Sequence, residues 1–198
     1  ADATERELRL ACRLLAQIVR LRRKIRTRAE IHERLAREAM TDPLTGLPNR
    51  RAWDQTIRER LGGSGQPGRL CVAILDIDNF KKLNDRLGHE AGDRALVHLA
   101  DVTRRSLRPS DTLARYGGEE FVVLMPDTKL EQGIEVMARL QRELTKAIYM
   151  AGNEKILITF SAGVAQLAAD ESGTEAIRRA DQAMYLAKRA GKNRVLGA

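Results

Sequence analysis

The sequence predicts an α/β fold of the α+β kind, with a central, mostly antiparallel sheet, flanking helices and a long helix in front of them. Three observations carry that prediction. Residues 4–40 hold no Gly or Pro and are rich in Leu, Arg, Ala and Glu, the residues of which long helices are made. From residue 70 onward, apolar runs and helix-period patterns follow one another as β-α-β-β-α-β and then α-β. That is the order of a split βαβ arrangement, an antiparallel sheet with its helices on one side. Finally, Thr112-Leu113-Ala114 and Phe121-Val122-Val123-Leu124-Met125 flank a Gly117-Gly118 pair, which tolerates positive φ at both central positions of a tight hairpin.

In the N-terminal segment one heptad frame is consistent, with Ala11, Ile18, Ile25, His32 and Ala39 at a and Leu14, Leu21, Arg28 and Leu35 at d. Ile at a with Leu at d favours a parallel two-stranded coil, so the segment predicts a homodimer; Arg28 and His32 interrupt the seam in its second half. The same stripe also suits a helix laid on its own domain. Pro43, Gly46 and Pro48 break the helix and divide the chain into a signalling segment, 1–40, and a domain, 41–198. A helix over 49–61 ends at Gly62-Gly63-Ser64-Gly65. Residues 70–78 are a nearly unbroken apolar run, the pattern of a strand buried on both faces. An irregular segment, a helix over 92–107, the hairpin over 111–126 and a helix over 130–147 follow. A strand over 156–166, a helix over 174–190 and a short strand over 194–196 complete the order.

The chemistry sits where strands end. Asp76 and Asp78, two apart and so on one face, close the 70–78 run, and Glu119 and Glu120 follow the hairpin turn. Adjacent carboxylates repel and bring no stability there, but two acid-tipped strand ends side by side make a hard-oxygen site suited to Mg²⁺. Composition narrows the partners. The formal charge of +8 is concentrated in residues 1–40, which hold 11 Lys/Arg against 6 Asp/Glu. With only 1 Trp, 3 Tyr and 3 Phe available for base stacking, nucleic acid is not an expected partner. Cys12 and Cys71 lie in apolar patterns far apart and read as small buried hydrophobes in a reducing compartment. No run reaches the roughly 18–20 apolar residues of a membrane span, and no signal peptide is visible. A cytoplasmic chain without a membrane span is expected. Its abrupt start in a helical pattern suggests a longer protein with a sensor domain upstream.

Asp76-Ile77-Asp78-Asn79-Phe80-Lys81-Lys82-Leu83-Asn84-Asp85 and Gly117-Gly118-Glu119-Glu120-Phe121 together closely resemble the GGDEF family of diguanylate cyclases, in its GGEEF variant. Asp42-Pro43-Leu44-Thr45-Gly46-Leu47-Pro48-Asn49-Arg50-Arg51, Gly88-His89-Glu90-Ala91-Gly92-Asp93, Ser161-Ala162-Gly163-Val164-Ala165 and Ala187-Lys188-Arg189-Ala190-Gly191-Lys192-Asn193-Arg194 extend the resemblance in order from about 41 to 195. The resemblance implies a palm-like nucleotidyl cyclase fold that joins two GTP into cyclic di-GMP with release of two pyrophosphates. It implies two Mg²⁺ per half-site, with Mn²⁺ as a substitute, on Asp76, the Ile77 carbonyl, Glu119 and Glu120. Glu119 also serves as proton acceptor and Lys81 meets the phosphates. Gly117 and Gly118 admit the nucleotide, Asn84 and Asp93 read guanine, His89 borders the substrate, and Lys188 and Lys192 contact phosphate. The resemblance further implies that Arg108 and Asp111, spaced as the family's RxxD product site, form with Arg139 an inhibitory site for cyclic di-GMP. The alternative within this fold is a catalytically silent GTP or cyclic di-GMP receptor.

Overall fold

A computed structural model of the chain describes residues 39–62, 69–152, 154–168 and 171–198, together with positions 17, 20 and 22–24. Gln17, Arg20, Arg22, Arg23 and Lys24 are helical and exposed, all at positions off the predicted seam. The seam residues Ala11, Leu14, Ile18, Leu21, Ile25, Arg28, His32 and Leu35, and Cys12, lie outside the described residues. Met40–Ala198 forms a compact unit by itself.

Its elements are α1 (Arg50–Gly62), β1 (Leu70–Ile77), α2 (Phe80–Leu87), α3 (His89–Ser106), β2 (Thr112–Arg115), β3 (Glu120–Pro126) and α4 (Leu130–Lys146). A small pair, β4 (Tyr149–Ala151) and β5 (Glu154–Ile156), precedes β6 (Phe160–Gln166), α5 (Gly173–Arg189) and β7 (Val195–Gly197). The main sheet runs β2-β3-β1-β6-β7. All its pairings are antiparallel except β6 with β7. β1 lies at the centre, bonded on both sides, which is why its sequence is apolar throughout.

Alternation along β1 splits the core in two. Cys71, Ala73, Leu75 and Ile77 face Leu96 and Leu99 of α3 and Met137, Leu140 and Leu144 of α4. Val72 and Ile74 face Trp53 and Ile57 of α1 and Ile177 and Met184 of α5. Helices therefore cover both faces, not the one side that element order predicts. A strand apolar on both faces needs cover on both. The β6–α5 contact is close. A Cβ added at Gly163 would lie 1.8 Å from the Ala180 carbonyl oxygen, so the helix backbone rests directly on the strand.

Three local expectations change. The segment read as irregular is helix α2 running almost directly into α3; its apolar positions Phe80, Leu83 and Leu87 repeat at helical spacing over too few residues to stand out in a window. The strand expected over 156–166 is two strands, because residues 157–159 leave the sheet and β5 pairs with β4 through a turn at Gly152, φ 63°. The glycine turn is wider than a two-residue hairpin. β2 ends at Arg115 and β3 begins at Glu120, and neither Gly117 nor Gly118 takes a positive φ. Among the described residues, no helix is long and apolar enough to cross a membrane.

Candidate active site

The registers of β1 and β3 place Asp76 directly opposite Glu120, and the Ile77 amide donates to the Glu119 carbonyl at 3.5 Å. The two acid-tipped ends thus meet at one end of the sheet. Asp76 is 5% exposed. Its Oδ2 takes the Lys188 ammonium at 2.7 Å, reaching in from the last turn of α5. Its Oδ1 is buried with no hydrogen-bond partner. Burial, above all, raises the Asp76 carboxyl over its ordinary value, against the pull of Lys188. Burial and the Asp76 charge likewise raise Glu119 and Glu120, and Asp181 of α5 adds to the effect on Glu120.

Carboxylates that oppose one another's ionisation, around an unpaired buried oxygen, are a poor arrangement for stability and a good one for a hard cation. Among the described residues, no three acidic or imidazole side chains already close on a common point, and Lys188 holds the second Asp76 oxygen. The donor set (carboxylates and a main-chain carbonyl) still fits Mg²⁺ by its chemistry.

The glycines leave this site open. A Cβ at Gly117 would come within 2.6 Å of Glu120 Oε2, whereas Gly118 has open space around it. Arg115 holds the turn shut from behind. Its Nε and Nη2 donate to the Gly118 carbonyl at 3.2 and 2.7 Å, and its Nη1 donates to both Asp42 oxygens at 3.1 Å. Asp42 also accepts from the Thr45 amide and hydroxyl. Burial would raise its carboxyl, but the bonds from Thr45 and Arg115 outweigh it and hold Asp42 below its ordinary value. The motif that carries Asp42 and Thr45 gives no sign of this clamp in the sequence. A turn followed far downstream by an Arg is no local signal for a pair 73 positions apart.

Asp78 departs from the reading that put it beside Asp76 as a site acid. Its Oδ1 accepts from Ser161 Oγ at 2.7 Å, and its Oδ2 accepts from Thr159 Oγ1 at 2.8 Å and from the Asn193 amide at 2.9 Å. Both oxygens are committed to the chain itself. Lys192, in the turn after α5, donates its ammonium to Asn79 Oδ1. Its charge is felt at Asp76.

The other substrate candidates cluster on α2 and α3. Lys81 is exposed on the first turn of α2, and His89 and Asp93 are exposed on the first turns of α3. Asn84 packs on Gly92 so closely that a Cβ there would meet its Oδ1 at 1.8 Å. That oxygen is buried with no partner in the folded chain. Arg108, Asp111 and Arg139 stand apart from the acids. Asp111 Oδ2 accepts the Arg108 amide at 3.0 Å, and Arg139 donates to the Ser106 carbonyl at 3.1 Å. Arg108, Arg139 and Arg142 line one cavity of about 190 Å³.

Comparison with known proteins is consistent across sequence and structure. The family model described as diguanylate cyclase, GGDEF domain, matches residues 39–194. Diguanylate cyclase DgcP of Pseudomonas aeruginosa is 40% identical over 198 residues, spanning 98% of this chain and 30% of that protein. The response regulator PleD of Caulobacter vibrioides is 38% identical over 165 residues, 80% of this chain and 36% of its own. The chain thus spans about a third of the length of these curated relatives. The coiled coil and GGDEF domain of DgcB from Caulobacter crescentus, solved in complex with c-di-GMP, superimposes with a TM-score of 0.87 at 33% identity, covering 93% of this chain and 99% of that one. With a family match over most of its length, and facing acids at the strand ends where the signature falls, this chain belongs to the GGDEF diguanylate cyclase family.

Proposed function

We propose that the chain condenses two GTP into cyclic di-GMP and two pyrophosphates, each domain holding one GTP. The observation that carries this reading is the facing of Asp76 and Glu120 around a buried, unpartnered carboxylate oxygen, with Lys188 against it. Asp76, the Ile77 carbonyl, Glu119 and Glu120 would hold two Mg²⁺, or Mn²⁺ in their place. When bound, such a pair lowers the pKa of the attacking 3′-hydroxyl and neutralises charge on the departing pyrophosphate.

The chain's own residues do the rest. A Glu119 carboxylate accepts the 3′-hydroxyl proton, a role that its upward-shifted pKa suits. The 3′-oxygen bonds to the α-phosphorus of the GTP on the facing domain as the bond to the bridging oxygen breaks. Lys81, Lys188 and Lys192 meet phosphate oxygens as point charges. Gly117 and Gly118 let the nucleotide approach the turn backbone. The Asn84 amide and Asp93 carboxylate complement the guanine edge, and His89 borders it. The intact acids argue against the silent-receptor alternative.

Around this core, residues 1–40 act as a coiled-coil arm that pairs two copies and connects them to a sensor domain, and residues 41–198 are the cyclase domain. Cyclic di-GMP acts back as an inhibitor at Arg108, Asp111 and Arg139, a role supported by the arginine-lined cavity. GTP as substrate implies a cytoplasmic setting. Purified protein incubated with Mg²⁺ and either GTP or ATP tests the reading by mass spectrometry. Cyclic di-GMP should form from GTP, with little cyclic product from ATP. Unconverted GTP, or equal use of the two nucleotides, would overturn it.

A further inference from the structure

We propose that Asp78 is a positioning residue for triphosphate binding, a clasp that holds the Lys192 turn against the acid-bearing strand. This rests on the reading of Lys192 as a phosphate contact. From sequence alone Asp78 reads as one of the acids at the strand end, two residues from Asp76. The structure gives it other work. One carboxylate ties together three separate stretches: the turn just after β1, on which it sits, the Thr159 and Ser161 hydroxyls at the start of β6, and the Asn193 amide after α5. Its own amide donates to the Thr159 carbonyl at 2.9 Å.

What it restrains is a turn of left-handed backbone, whose Lys192 amide also donates to the Ala187 carbonyl at 3.1 Å. Lys192 and Asn193 lie at φ 61° and 47°, and Asn79, facing them, lies at φ 59°. The left-handed region is uncommon for a residue with a side chain, Lys more so than Asn, and bonds to neighbouring stretches help to hold it. Two of these residues are consecutive, and their turn is short, bounded by the end of α5 at Arg189 and the start of β7 at Val195. The Asn193 amide bond to Asp78 and the Lys192–Asn79 contact are the side-chain bonds that close this turn onto the 78–79 turn. Both bring the Lys192 ammonium to the side of the site where Asp76 feels its charge. A flexible lysine on a free turn would lose much of its side-chain freedom on meeting a phosphate; a turn fixed beforehand leaves less to lose.

Binding can be measured without turnover by using 3′-deoxy-GTP, which lacks the attacking hydroxyl, with Mg²⁺ and isothermal calorimetry. Lys192→Ala should weaken binding roughly tenfold, the size of one charge-assisted contact. Asp78→Asn, which keeps the shape but turns an amide donor or a weaker acceptor toward Asn193, should weaken it by a similar factor. The double variant should be little worse than either single one, because both remove the same contact. Saturating Mg²⁺ should not restore Asp78→Asn. A second measurement does not depend on the variant folding: the Asn193 amide, on an exposed residue, should exchange slowly with solvent in the wild type. If Lys192→Ala binds normally, the phosphate role of Lys192 fails, and the clasp loses its purpose with it. If Lys192→Ala is weakened but folded Asp78→Asn is not, or the two effects simply add, the clasp is refuted while the phosphate role stands. Rescue of Asp78→Asn by high Mg²⁺ would make Asp78 a metal ligand, and rapid exchange of the Asn193 amide would show that the bond does not persist.

Discussion

Glu119 shows most clearly how single residues set stability against chemistry here. Its carboxyl lies above its ordinary value because of burial first and the Asp76 charge second, with Lys188 opposing and Glu120 reinforcing. A carboxyl whose pKa is higher folded than unfolded stabilises the fold below the unfolded value, and that contribution is lost as pH rises through the folded value. At neutral pH the ion-free protein therefore carries an ionised cluster that it would be more stable without. Glu119→Gln should raise the thermal midpoint at pH 7 without added metal. The residue is partly solvated, so screening holds the gain to well under about 1 kcal/mol, or roughly 1–2 °C for a domain of this size. The gap should narrow as pH falls toward the ordinary glutamate range, where Glu119 is protonated in the wild type as well. Added Mg²⁺ should raise the wild-type midpoint more than that of the variant, and product formation by the variant should fall to near background. Scanning calorimetry at several pH values, with and without Mg²⁺, checks all of this; a variant less stable than wild type at pH 7 would show that Glu119 is held by favourable partners.

The elements hold these residues by contacts of different legibility. Lys188 reaches Asp76 only because α5 lies flush on β6, and that closeness depends on Gly163 having no side chain. A Cβ there would also come within 2.4 Å of the Met184 amide nitrogen, a backbone atom that cannot swing aside. Gly163→Ala should therefore push the helix off the strand and cost about 2–3 kcal/mol, visible as a midpoint lowered by roughly 4–10 °C. It should also weaken GTP binding, since α5 carries Lys188. Unchanged midpoint and affinity would mean that the layers have slack. Much of the fold is legible in the sequence because each strand and helix carries its own period: the apolar run of β1, the 3.6-residue stripes of α3 and α4, and the acids at Asp76, Glu119 and Glu120 can all be read in place. What is not legible is pairwise and remote. Nothing near Asp78 announces Thr159, Ser161 and Asn193, and nothing near Asp42 announces Arg115. Helix α2 is too short for its period to show, and the cover of the second sheet face by α1 and α5 follows from packing, not from element order.

For the whole molecule, the proposed reaction gives each domain a single half-site. On that proposal both phosphodiester bonds form only with two domains face to face, so the rate should depend on how often they meet. If residues 1–40 pair two copies, they raise the local concentration of the second domain, and most strongly when the bulk concentration is low. Under the proposed product inhibition Arg108 would bear on the same step from the other side, since product bound between domains would keep the half-sites apart. Arg108→Ala should relieve inhibition by added cyclic di-GMP while leaving the initial rate near wild type; inhibition unchanged in that variant would remove Arg108 from the product site. Removing residues 1–38 should then lower specific activity most at high dilution, by roughly the factor by which an arm-tethered partner outnumbers a free one, on the order of 10²-fold. The loss should shrink as protein concentration rises, because the truncated domains can still meet by diffusion. The boundary chosen keeps Ala39 and Met40 ahead of the Asp42–Arg115 clamp, so the turn that carries Glu119 stays held. Initial rates over a dilution series for both chains decide the matter. Specific activity that falls on dilution for the short chain but not for the long one is the expected pattern. Equal specific activity at every dilution would show that the domain pairs through its own surface and that the N-terminal segment serves another end.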